Sequence, residues 1–224
     1  PLLVKLLQMI EQDQQVRYPL ETHVVLLGDY IDRGPQSRDV CELLHAMEGS
    51  AYFHCLKGNH EETMLRVLEG NRMALRFWLK YGGEETLQSW GIDPALIERA
   101  YGSEGAQWDV IEAFQAAVTP SVVNWMRALP AFHRHGDYLF AHAGVRPRLK
   151  LEEQSEEDLL WIREPFLSSR ARHPWRVVHG HSQSDTAEIL HNRIGIDTGA
   201  YRSGVLTAVG IEDDDAWPIE AVAG

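Results

Sequence analysis

Gly28-Asp29-Tyr30-Ile31-Asp32-Arg33-Gly34 and Gly58-Asn59-His60-Glu61 each follow a short apolar run, and reading them decides the fold. The runs, His23 to Leu27 and Ala51 to Leu56, end in turn residues and read as buried strands. Between them Val40, Leu43, Leu44 and Met47 recur at helical spacing over Ser37 to Met47. A strand–helix–strand unit of this kind makes two parallel strands with loops at the same sheet edge. Asp29 and Asn59 leave their strands at equivalent points, so the two loops are expected to be neighbours. No packing need accounts for two carboxylates, an amide oxygen, an imidazole and a guanidinium at strand exits. Such a set is equipped to hold divalent metals and a phosphate.

Outward from these loops the pattern changes. Residues 2–13 show helical spacing through Leu3, Leu6, Leu7 and Ile10. Residues 61–129 read as a helical insert or cap, punctuated by Gly82-Gly83 and Pro94. From Ala131 strands return: Ala131 to His135 and Tyr138 to Ala141 flank Gly136-Asp137, a hairpin turn. Val177-Val178, Glu188 to Leu190, Arg193 to Ile196 and Val205 to Val209 follow. Asp213-Asp214-Asp215 reads as a solvated turn between edge strands.

The chain has 224 residues, 44% of them hydrophobic, enough for one sizeable core; a single domain over 1–224 with an insert at about 61–129 is expected. A net charge of -12 disfavours nucleic acid and anionic membranes, so an anionic substrate needs a local positive field. Bound divalent cations supply one. Cys41 and Cys55 lie in apolar runs and read as buried free thiols in a reducing, cytoplasmic compartment. No run approaches the ~18 apolar residues of a membrane span, and no secretory signal pattern is visible.

The loop residues carry the chemistry. A carboxylate leaving a buried strand after glycine is placed to bind a metal, although a lone Gly-Asp is more often a turn. Asp32 and Arg33 within the same loop reverse those odds, since arginine suits bidentate phosphate binding. Asn59 adds an oxygen ligand, His60 a group titrating near neutrality, and Glu61 favours the first turn of the next helix. His142 and His181 stand at strand ends between small residues, with Ala143, Gly144 and Gly180 leaving room for close approach. Asp29, Asn59, His142 and His181 together mix hard oxygen with imidazole and lack thiolate, which suits Mn, Fe or Zn. His23, His45, His54, His133, His135, His173 and His191 lack such context and read as structural or surface residues. Trp78, Tyr81 and Trp90 read as packing at helical spacing, with base stacking as the alternative.

On these motifs the chain resembles the calcineurin-like metallophosphoesterases, and more narrowly the bacterial phosphoprotein phosphatase branch related to diadenosine tetraphosphatase. Leu159-Leu160-Trp161-Ile162-Arg163 and Ile196-Asp197-Thr198-Gly199-Ala200 also resemble that branch. The resemblance implies an α/β fold, a four-layer α/β/β/α sandwich with mixed sheets, and a centre of two divalent ions, Mn before Fe or Zn. It implies Asp29 as the bridging ligand, with Asn59, His142 and His181 completing the second metal. It implies His60 as general acid oriented by Asp32, Arg33 and Arg163 as phosphate clamps, and His179 and Asp197 as supports. The family opens on Gly-Asp-x-His-Gly, and no Asp-x-His precedes Asp29, so those two ligands and the first strand are expected upstream of Pro1.

The activity implied is hydrolysis of phosphate monoesters by in-line attack of a metal-bridging hydroxide. The expected substrate is a phosphoprotein (Ser/Thr, with Tyr as an option) or another small phosphoester, with no nucleic acid or membrane partner. A symmetrical dinucleoside tetraphosphate hydrolase is the alternative. A metal-poor binding module, suggested by the missing Asp-x-His, is the reading from another class.

Overall fold

A computed structural model describes all residues, Pro1–Gly224. In chain order the elements are α1 (Leu2–Arg17), β1 (Val24–Leu26), α2 (Ser37–Ala46), β2 (Phe53–Cys55), α3 (Asn59–Leu68) and α4 (Arg72–Lys80). There follow α5 (Gly83–Ser89), α6 (Pro94–Ala100), α7 (Glu104–Ala117), α8 (Pro120–Ala128), β3 (Phe132–His135) and β4 (Tyr138–Ala141). The chain ends with α9 (Glu156–Trp161), β5 (Arg176–His179), β6 (Glu188–Ile189), β7 (Arg193–Gly195), α10 (Ala200–Ser203), β8 (Val205–Glu212) and β9 (Asp215–Val222). Two compact units result. One comprises Pro1–Leu27, Ala51–Leu56 and Ala131–Gly224; the other comprises Gly28–Ser50 and Lys57–Pro130.

The first unit holds every strand. β1 and β2 are parallel, pairing Val24 with Phe53 and Leu26 with Cys55, as the strand–helix–strand reading requires. A five-stranded mixed sheet runs β3-β4-β5-β7-β6. β3 and β4 form the expected antiparallel hairpin. β4 and β5 are parallel with Phe140 opposite Val178, so the chain leaves both strands at one edge. β8 and β9 form a hairpin turning through Asp213, which has a left-handed φ of 51°. α1 packs on that hairpin: Lys5 donates to the Val222 carbonyl, and the Arg17 guanidinium sits 3.5 Å from the centre of the Trp217 ring. Two apolar clusters fill the unit, one around Leu139, Phe166 and Val177, the other around Leu56, Val178 and Ile194. Burial of such side chains is worth roughly 1.5–3 kcal/mol each.

The second unit is helical. Trp78, Phe114, Leu75 and Ile111 are almost wholly buried in it, with Trp78 and Trp90 packed against Phe114. Of the aromatics open to two readings, Trp78 and Trp90 are therefore packing residues, whereas Tyr81 is half-exposed beside Phe77. Cys41 is buried and Cys55 only partly so, which corrects the expectation that both thiols are interior. Cys55 lies on β2, which is only partly buried along its whole length. No helix is long and apolar enough to cross a membrane.

Candidate active site

In the helical unit the heptapeptide loop is strained. Asp29, Asp32 and Arg33 have φ of 56°, 78° and 63°, a left-handed conformation costing non-glycine residues roughly 1–3 kcal/mol each. Glu61 holds the loop in that shape. Its carboxylate accepts from the backbone N–H groups of Gly58 (2.8 Å), Asp29 (2.9 Å) and Tyr30 (2.8 Å). The helix-start reading of Glu61 thus missed its larger role, since two of those donors lie in a distant loop. Burial, then the Asp29 charge, pushes the Glu61 carboxyl up to about 7, while the N–H donors and the His60 charge pull the other way. Gly58 lets the loops approach: a Cβ there would lie 2.4 Å from Asp29 Oδ1 and 2.5 Å from Asp29 N. The expectation that the two loops are neighbours holds.

His60 stands at the first turn of α3, only 7% exposed. Its Nδ1 meets the wholly buried Asp32 carboxylate, and its Nε2 lies 3.3 Å from Arg33 Nη2 and 3.8 Å from Asp29 Oδ2. Burial works against the imidazolium. The Asp29 and Asp32 carboxylates outweigh it and raise the pKa to about 9, with Arg33 opposing. Arg33 is tied by its backbone N–H to the Gly82 carbonyl (3.0 Å) and by Nε to the Tyr81 carbonyl (3.3 Å). Asn59 is buried at the α3 N-terminus, its carbonyl accepting from the Thr63 hydroxyl. Asp29, Asp32, Arg33, Asn59 and His60 are thus gathered in one place.

In the stranded unit, His142 follows β4 and His181 follows β5. The Gly180 N–H donates to the His142 carbonyl (2.8 Å), locking the two exits together. His142 Nδ1 donates to the Leu27 carbonyl (2.8 Å), which makes Nε2 the lone-pair nitrogen, the one a cation would use. That Nε2 lies 3.3 Å from His181 Nδ1, and His181 has a left-handed φ of 60°. Two imidazole nitrogens so placed, one with its tautomer fixed by a carbonyl, fit a shared divalent ion. The small neighbours do not all serve this pair: a Cβ on Gly144 would lie 2.3 Å from the Phe166 ring, so that glycine makes room for the core.

Arg163 follows α9 and is exposed, its carbonyl accepting from the Leu167 N–H. His179 is 1% exposed with Nδ1 on the Gly180 carbonyl, and burial lowers its pKa to about 4. Asp197 accepts from the Gly199 N–H (2.9 Å), a turn contact. Four histidines read as unconnected are in fact grouped. His23 Nδ1 lies 3.0 Å from His54 Nε2, the His54 and His133 rings stack with centroids 4.0 Å apart, and His135 lies against His23 at 4.3 Å. β1–β2 pairing brings His23 beside His54, and the packing of β3, from a different sheet, adds His133 and His135.

Comparison with known proteins places the chain in a family. The sequence profile of the calcineurin-like phosphoesterases matches residues 2–205. A symmetrical bis(5'-nucleosyl)-tetraphosphatase of Nitrosospira multiformis is 26% identical, covering 89% of this chain and 86% of its own length. Serine/threonine-protein phosphatase 2 of Escherichia coli is 28% identical, covering 85% of this chain and 80% of its own length. A solved structure with a provisional diadenosine tetraphosphatase name superposes with a TM-score of 0.63 at 18% identity, covering 96% of this chain and 88% of its own. That last likeness speaks for the fold. With carboxylate, amide and imidazole donors at strand exits and the family profile spanning nearly the whole chain, this protein belongs to the calcineurin-like phosphoesterases and is a metal-dependent phosphoesterase with their mixed α/β fold.

Proposed function

We propose that the chain hydrolyses phosphate monoesters, with phosphoproteins carrying phosphoserine or phosphothreonine as the substrate class and phosphotyrosine as a further option. The Asp32–His60–Arg33 constellation carries this reading: an acid and a phosphate clamp sit side by side, 3.3 Å apart. Asp29, Asn59, His142 and His181 would hold one ion of a two-ion centre, manganese first by donor chemistry and iron or zinc after it. Such ions polarise a water and neutralise phosphate oxygens when bound. Arg33 and Arg163 bind the equatorial oxygens with planar N–H donors. His60, its Nδ1 proton held by Asp32, presents Nε2 to the departing oxygen, a proton transfer typically worth ~10²–10⁴-fold. Cys41 and Cys55, neither in a disulfide, suit a reducing cytoplasm.

The test is Mn-dependent turnover of an aryl phosphate by the parent and by Asp29→Asn and His60→Asn. Both variants are expected to lose activity; undiminished turnover in both overturns the assignment. A second reading, dinucleoside tetraphosphate hydrolysis, is favoured by one observation. The Phe77 and Tyr81 rings are 41% and 51% exposed, 4.5 Å apart, on the helix whose end receives Arg33. A nucleobase stacks on such a pair. Phosphoserine peptide and diadenosine tetraphosphate assayed at matched concentration decide between the two, and Tyr81→Ala should weaken only the second.

A further inference from the structure

The structure assigns Trp78 and Thr86 as positioning residues that hold both oxygens of Asp32 and so fix how His60 faces the leaving group. This rests on the reading of His60 as the acid. The Asp32 side chain has no exposure, and a carboxylate stripped of water is costly unless every lone pair is matched. Thr86 Oγ1 donates to Asp32 Oδ1 at 2.6 Å, and Trp78 Nε1 donates to Oδ2 at 2.7 Å. Oδ2 is also the atom that receives His60 Nδ1. The Asp32 N–H returns to Thr86 Oγ1 at 2.8 Å and to Ser37 Oγ at 3.1 Å, closing the turn.

These donors come from three helices: α3 gives His60, α4 gives Trp78 and α5 gives Thr86. Their convergence on one carboxylate defines its plane, and the plane defines where the imidazole lies. Trp78 cannot swing away. It is 1% exposed, and a Cβ on Gly83 would already lie 2.5 Å from its ring. Thr86 is fully buried. Neither residue is part of the phosphate clamp, so they act through Asp32. A group that only neutralised a buried charge would affect folding and leave the choice of leaving group alone. A group that aims the acid must matter most where the leaving oxygen needs a proton.

The experiment compares phenyl phosphate, whose leaving oxygen needs protonation, with dinitrophenyl phosphate, whose leaving oxygen does not. Trp78→Phe removes the N–H and keeps a ring, Thr86→Val removes the hydroxyl, and Thr86→Ser keeps it. For Trp78→Phe and Thr86→Val we expect kcat on phenyl phosphate to fall on the order of tenfold with KM unchanged, and kcat on dinitrophenyl phosphate to stay near the parent's; a misplacement near 1 Å costs ~10²-fold, and one lost donor of three is a smaller disturbance. Thr86→Ser is expected to keep most of the phenyl phosphate rate. Equal losses on both substrates, or none on either, overturn the inference. His60→Asn in the same assay separates the two claims. If it shows the leaving-group dependence and Trp78→Phe and Thr86→Val do not, only the positioning role falls. If His60→Asn itself shows none, the acid assignment falls and the positioning role with it. Should Trp78→Phe fail to fold, the Thr86→Val and Thr86→Ser pair decides the question by the same criteria.

Discussion

Gly58→Ala sets two effects against each other with opposite sign. Gly58 has a φ of -102°, which any residue adopts. On backbone entropy alone alanine should stabilise the protein by about 0.4–1 kcal/mol. The contacts oppose this. The new Cβ would stand 2.5 Å from Asp29 N, 2.4 Å from Asp29 Oδ1 and 2.7 Å from the Glu61 carboxylate, which is buried and held by three N–H groups. Ordinary contact begins near 3.4 Å, so Asp29 must retreat by about 0.9 Å (3.4 minus 2.5). Overpacking of this kind costs typically ~1–3 kcal/mol and outweighs the entropic gain, leaving a net loss of about 1–2 kcal/mol. At ~2–4 °C per kcal/mol for a chain of this size, the melting temperature should fall by about 2–8 °C. Activity should suffer more, because a displacement near 1 Å at a reacting centre costs ~10²-fold. The assays are a thermal melt and Mn-dependent hydrolysis of an aryl phosphate. Gly105→Ala, at the start of α7 with its nearest neighbour 3.8 Å away, is the control. It should hold or raise the melting temperature and leave kcat unchanged. A Gly58→Ala protein with the parent's kcat refutes the claim that loop approach positions Asp29.

Three further outcomes are expected. The His60 imidazole, raised to about 9, stays protonated through neutrality. Its contribution to the stability of the metal-free protein is therefore present below the unfolded value of 6.5 and lost as pH rises through about 9, and His60→Asn should abolish that alkaline loss in urea melts. His54 and His133 titrate the other way: burial and then neighbouring imidazoles lower both, so their contribution is present above 6.5 and fades as pH falls. His54→Gln should flatten the acid side of the stability profile, and an unchanged profile refutes the reading of the stack. Finally, chelation should abolish turnover, and His142→Ala should weaken divalent-ion binding measured by calorimetry by more than tenfold; equal affinity in parent and variant removes His142 from the ligand set.

What the sequence determined by itself was local. Short apolar runs ended by glycine-containing turns specify strands with polar exits, and the helix between Ser37 and Ala46 makes those exits share an edge. Residue chemistry then names Asp29, Asn59, His60 and Arg33, because each sits within a few positions of its strand end. The tertiary structure alone decided everything that depends on distant positions meeting. Glu61 reads as a helix-start residue until the Asp29 loop is laid across it, and its carboxylate is then seen to hold that loop's N–H groups. Trp78 reads as a core residue at helical spacing, and it is one; only packing shows that its N–H, 46 positions away in sequence, ends on Asp32. His23 and His54 are brought together by the β1–β2 pairing, but His133 and His135 lie on β3, in a different sheet, and only packing brings them onto the first two. Periodicity records which face of an element is buried. It carries no record of which polar atom waits on the other side, because that is fixed by the register and packing of elements far apart in the chain.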